Sequence, residues 1–89
     1  MLFISMYTWN QDKRNEIIAR RLEKGRMVPK GIKVLGEWTA IGQPLGILLF
    51  ETDNQNAMAE MNIAWNDILE SEIVPVLDTE KDLLGLLKK

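Results

Sequence analysis

The 89-residue chain contains no cysteine and no histidine. The first absence removes disulfides, thiolate nucleophiles and thiolate metal sites together, and it fits a reducing compartment. The second removes the commonest general base near neutral pH, the commonest metal ligand and the usual haem ligand. Neither a metal site nor a cofactor is therefore expected. No apolar run approaches the length of a membrane span, and no basic segment precedes the opening Met1-Leu2-Phe3-Ile4. A soluble cytoplasmic domain with no membrane partner is the expectation that follows.

Basic residues are also missing from a long stretch, since none lies between Val34 and Glu80, where nine acidic residues fall. Eight of the eleven basic residues are instead gathered between Lys13 and Lys33. A basic patch for an anion or RNA is one reading. A solvated helix face followed by a loop is the plainer one, because no aromatic residue is interleaved with the charges and the net charge is −2. Nucleic acid is not expected as a partner. With 46% apolar and 27% charged residues the chain has the balance of a globular domain. A domain this short buries only about 60–65% of its unfolded surface, so self-association would add to its stability.

Leu2–Trp9, "LFISMYTW", is apolar on both alternating sets and reads as a strand buried on both faces. "NQDKRNEIIARRLEKGR" predicts a helix with Asn10 as cap, Ile17, Ile18 and Leu22 as a narrow stripe, and Gly25 as its end. Ile32–Thr39 and Leu45–Thr52 read as two strands joined by the turn "AIGQP", with Gly42 free to take positive φ. Asp53 or Asn54 caps a second helix, "DNQNAMAEMNIAWNDIL", whose Ala57, Met61, Ala64 and Ile68 share one face with Met58 and Trp65 beside them. "ESEIVPVLD" is a fourth strand. Residues 78–89, "DTEKDLLGLLKK", form a short amphipathic helical extension from a main domain of residues 1–77.

This β-α-β-β-α-β order predicts an α+β, ferredoxin-like split β-α-β fold, with antiparallel sheet order 4-1-3-2 and both main helices on one face. Pro75 fits the edge position of the fourth strand, where an outward-facing nitrogen needs no N–H. Strands one and three carry apolar residues on both faces, and the C-terminal segment is too short to roof the helix-free one. A second copy packed sheet to sheet is the expected cover. On parity, Phe3, Ser5, Tyr7 and Trp9 share the more polar face of strand one, which is assigned to the side away from the helices.

In "MLFISMYTW", "EKGRMVPKGIKVLGEW", "LFETDN" and "WNDILESEIVPVL" the chain resembles the ferredoxin-like dimeric α/β-barrel superfamily, and within it an uncharacterised family of roughly 90-residue domains. The resemblance implies a homodimer and no agreed activity. Better-known relatives include antibiotic-biosynthesis-type monooxygenases and haem-degrading enzymes, and the lack of histidine departs from the haem-degrading pattern.

The candidate pocket residues are Tyr7, Trp9, Trp38, Glu51 and Trp65. Three tryptophans are many for this length, and core or interface packing competes with ligand stacking for each. Trp9 and Trp38, at the ends of two parallel strands, are expected at one rim. Glu37, Glu51 and Glu72 are the strand carboxylates that would act as acid or base if desolvated to a raised pKa. No nucleophile, metal or phosphate-loop motif is present. The expected function is a homodimeric small-ligand-binding or structural module whose ligand is apolar or aromatic. The alternatives are a cofactor-independent monooxygenase-like enzyme and, more weakly, an anion- or RNA-binding domain using the basic helix.

Overall fold

The computed structural model describes residues 1–88. Four strands, β1 (Leu2–Thr8), β2 (Lys33–Thr39), β3 (Leu45–Glu51) and β4 (Glu70–Val76), alternate with helices α1 (Arg14–Lys24) and α2 (Gln55–Ile63). A 3₁₀ turn, Gln11–Lys13, leads into α1, and a π-helical turn, Thr79–Leu83, leads into the single-turn α3 (Leu84–Leu87). The strands form one antiparallel sheet in the order β2-β3-β1-β4. Counted from the β4 edge, that is the neighbour sequence 4-1-3-2.

Which face the helices cover is decided by β3. Phe50 and Leu48 project from it onto the buried side, where Met61 joins them and Met58 packs alongside. Phe50 is 0% exposed and stacks on Phe3, with ring centroids 5.6 Å apart. Register then carries the rest of β1: Phe3, Ser5 and Tyr7 lie opposite Phe50, Leu48 and Gly46. These β1 residues therefore face the helices, and the expected placement on the opposite side is overturned. With apolar residues on both sets of β1, the polarity of that strand alone misled; the large side chains of β3 outweigh one buried serine.

Two local features shape β2 and β3. A β-bulge lets Val34 pair with Phe50 and Gly36 with Leu49, leaving Leu35 as the extra residue. Beyond it the phase is reversed, so Glu37 pairs with Leu48 on the helix side while Trp38 pairs with Ile47 on the other. At Gly46 a Cβ would overlap the Tyr7 ring, so only glycine allows that side chain to lie across β3.

Helix α1 has no capping bond from Asn10 and buries no residue completely, and it ends at Gly25 with φ of 69°. The second helix is shorter than its periodicity predicts. It is capped by Asn54, which accepts from the Ala57 amide at 3.1 Å, and it stops at Ile63. Turns continue the chain, closed by the Asn66 amide donating to the Asn62 carbonyl at 2.8 Å and that of Leu69 to Trp65 at 2.9 Å. Ala57, Met61 and Ile68 are buried, in keeping with the expected face.

The other sheet face carries Ile4, Met6, Ile47, Leu49 and Val74, joined by Trp38, which is 57% exposed. None of these six belongs to the buried core. Thr79–Lys88 are all exposed, Leu83, Leu84, Leu86 and Leu87 included. This segment extends the molecule: the radius of gyration is 14.7 Å and the long axis 50 Å, against a radius of about 12 Å for a compact chain of this length. Strand β4 is an edge strand, and Pro75 stands opposite Phe3 within it.

Because Phe50 joins the helix layer to the centre of the sheet, Phe50→Ala is expected to destabilise the fold by roughly 3–5 kcal/mol. Chemical denaturation measures this, and a loss below about 1 kcal/mol would contradict the placement of the core.

Candidate functional site

A cavity of about 560 Å³, partly open to solvent, lies between the sheet and the two helices. Its origin is local. Small residues, Ser5 of β1 and Ser71 of β4, form part of the floor, and the Ile17, Ile18 and Leu22 side chains of α1 overlook it without being buried. Leu48, Met61, Ile73 and Trp65 complete an apolar lining.

One end of the cavity is polar and tightly bonded. Glu37, 13% exposed at its side chain, accepts from the Tyr7 hydroxyl at 2.5 Å. It also accepts from Arg21 Nη2 at 2.7 Å and Nη1 at 3.2 Å, and from Arg26 Nε at 2.8 Å. The cluster gathers β1, β2, α1 and the loop after α1. Burial by itself would raise the Glu37 pKa, but the hydrogen bonds from Arg21, Tyr7 and Arg26 and the Arg21 charge outweigh it and hold the carboxyl at about 2. Burial, then the bond to Glu37 and its negative charge, push the Tyr7 phenol above its ordinary value. The pair thus persists as carboxylate and neutral phenol across the physiological range. The expectation of a desolvated carboxyl with a raised pKa is reversed at Glu37, because the arginines arrive with the burial.

Trp65 is fixed from both sides. Its indole Nε1 donates to the Arg26 carbonyl at 2.9 Å, and the Arg20 guanidinium lies 5.5 Å from the ring centroid. Arg20 in turn grips Asp67 through two bonds of 2.8 and 2.7 Å and donates to the Ala64 carbonyl at 3.0 Å. The Arg20 hydrogen bond holds the Asp67 carboxyl at about 2. The wall that Trp65 forms is therefore anchored to α1 and to the loop that follows it.

Of the residues singled out in the sequence, Tyr7, Trp9 and Trp65 line the cavity, with Trp9 tilted against Tyr7 at 6.1 Å between centroids. Trp38 does not join them, because the bulge at Leu35 turns it to the other face. Glu51 is exposed at the end of β3, opposite Leu2 and Lys33, and Glu72 is exposed opposite Met6. Asn62 lines the cavity, whereas Asn66 and Asp67 do not. Sequence reasoning missed Arg14, Arg21 and Arg26 as cavity residues. A signal existed for two of them: Arg14 and Arg21 are two helical turns apart, on the face that carries Ile17 and Ile18. Among the described residues no group of three histidine, cysteine or acidic side chains is placed to hold a metal ion, and no helix is long and apolar enough to cross a membrane.

One antiparallel sheet, with two helices over one face and a ligand-sized cavity between the layers, defines a small α+β pocket domain. The chain belongs to the family described as Domain of unknown function (DUF3303), whose sequence profile matches residues 1–88. No curated protein matches the sequence. Among solved structures it is similar to an uncharacterized NIPSNAP domain protein from Burkholderia xenovorans, with a TM-score of 0.50 and 13% identity, covering 86% of this chain and 95% of that one. At that identity the likeness carries the fold alone.

Glu37 adds stability that is complete above its ordinary pKa of 4.5 and is lost as pH falls towards about 2. Unfolding curves of the wild type are expected to lose stability between pH 5 and pH 2 more steeply than those of Glu37→Gln. Parallel slopes for the two proteins would mean that the cluster does not hold the carboxylate ionised.

Proposed function

We propose that this is a ferredoxin-like domain acting as a homodimeric small-ligand-binding module, with the ligand in the cavity between sheet and helices. One observation carries the reading: a cavity of about 560 Å³ with apolar walls has at one end a hydrogen-bonded polar cluster. That combination of size, apolar lining and a few oriented polar groups is the usual anatomy of a small-molecule site. The monooxygenase-like alternative asks for a group that exchanges a proton near neutral pH. Glu37 and Tyr7 are shifted away from neutrality in opposite directions, which favours recognition over proton transfer. The RNA reading asks for outward cations, whereas Arg21 and Arg26 point into the cavity and Arg20 is paired with Asp67.

Self-association is proposed through the helix-free face. Support comes from two unpartnered apolar surfaces on one chain: the face bearing Met6, Trp38 and Val74, and the leucines of the segment after Asp78. A two-fold pair buries both with no partner of other chemistry. The cavity stays accessible in such a pair, because it lies on the opposite side of the sheet.

Native mass spectrometry of freshly purified protein tests both parts. A mass about twice the 10.2 kDa of the chain, with a retained small molecule, is the expected outcome. Trp38→Glu is expected to yield a folded monomer by light scattering at micromolar concentration. A wild type that is monomeric under those conditions removes the dimer, and a cavity that takes up no small organic molecule in a fragment screen removes the binding function.

A further inference from the structure

The charged residues that line the cavity are Arg14, Arg21, Arg26 and Glu37, so the lining carries a net charge of +2 in a chain whose total is −2. Glu37 is a single carboxylate shared by two guanidinium groups, and one positive charge in the cluster is left uncompensated. Arg26 bonds to Glu37 through Nε at 2.8 Å, and among the described residues its two Nη groups have no partner. Arg14 lines the same cavity, and among the described residues no hydrogen bond or ion pair engages its guanidinium. The site therefore keeps a surplus of unused N–H donors beside walls built from Trp9, Ile18, Leu48 and Trp65.

Resting on the pocket reading above, we propose that the ligand is an amphipathic organic anion: an aromatic or alicyclic body bearing a carboxylate. A neutral aromatic would fill the apolar part and leave the surplus charge and donors unanswered. A small inorganic anion would satisfy the donors and leave the apolar walls wet. A ring with one carboxylate meets both demands, since guanidinium groups match carboxylates with two parallel N–H···O bonds. The Tyr7 hydroxyl, whose proton is committed to Glu37, can still accept a bond from a ligand donor. Arg14 is assigned as the arginine that selects the anion, because it lines the cavity and, among the described residues, no internal carboxylate already occupies its guanidinium.

The test compares 2-naphthoate with its neutral isostere 2-naphthamide, titrated into the whole chain by calorimetry. The three indole N–H resonances report the location. Naphthoate is expected to bind roughly tenfold or more tightly than the amide, as for a hydrogen bond to a charged group. It should shift the Trp9 and Trp65 resonances and leave that of Trp38 unmoved. Arg14→Gln, with an unchanged fold by the dispersion of its amide spectrum, is expected to lose most of that preference while still binding the amide. Equal affinity for the two compounds would overturn the anion assignment and leave the pocket reading standing. Undiminished preference in Arg14→Gln would overturn the role given to Arg14. No binding of either compound, or a shift confined to Trp38, would overturn the pocket reading together with the inference.

Discussion

Glu37 is almost withdrawn from solvent and held by groups from three other parts of the chain. A carboxylate in that position is tolerable only while its partners stay, because an unpaired buried charge costs several kcal/mol. The constraint works outward from there. Arg21 must present its guanidinium from the last turns of α1, Arg26 must return from the loop beyond Gly25, and Tyr7 must lie flat enough on the sheet to donate its proton. Arg26 then offers its carbonyl to the Trp65 indole, which extends the same set of restraints to the turns after α2. A helix with no fully buried residue is thus positioned by polar contacts at its end, and the space it leaves above Ser5 becomes the cavity.

Two backbone features make the cluster possible, and neither involves a charge. The bulge at Leu35 changes the phase of β2, so that Glu37 points at the helices and Trp38 at the opposite face. Without the extra residue the two would exchange places, placing a carboxylate on an apolar face and an indole in the cavity. Gly46 clears the strand beneath Tyr7, and any side chain there would lift the ring from the sheet. The hydroxyl would move with it and leave Glu37. The polar end of the site therefore depends on one missing side chain and one added residue as much as on the arginines.

The parts visible in the sequence are those that repeat. Apolar runs located β1 and β3, partial alternation located β2, the position of Pro75 matched an edge strand, and the spacing of Ala57, Met61 and Ile68 identified the buried side of α2 and the turns after it. The face of β1 was not legible, since both of its residue sets are apolar and only the pairing with Phe50 and Leu48 distinguishes them. A bulge leaves no mark in a stretch such as "KVLGEWT", where either phase puts an apolar residue on each side. Trp38 was accordingly grouped with Trp9, from which the sheet itself separates it. Glu37 could be recognised as a strand carboxylate. Its partners could not, because Arg21 and Arg26 read as members of a solvated basic run until the chain is folded over β2.

The charge state of the cluster also bears on what this site does. A group that moves protons in a reaction works best when its pKa lies near the prevailing pH. Here burial raises both candidates, but pairing separates them: the hydrogen bonds from Arg21, Tyr7 and Arg26 draw Glu37 down to about 2, while the bond to Glu37 adds to burial in pushing Tyr7 upward. The Tyr7–Glu37 bond that fixes the geometry also makes proton exchange less accessible. What the same bonds preserve is a constant pattern of charge, with one carboxylate beside an excess of guanidinium groups, set against apolar walls. Rigid presentation of fixed charge suits recognition, whereas chemistry at this site would need one of those bonds to be released by the substrate itself.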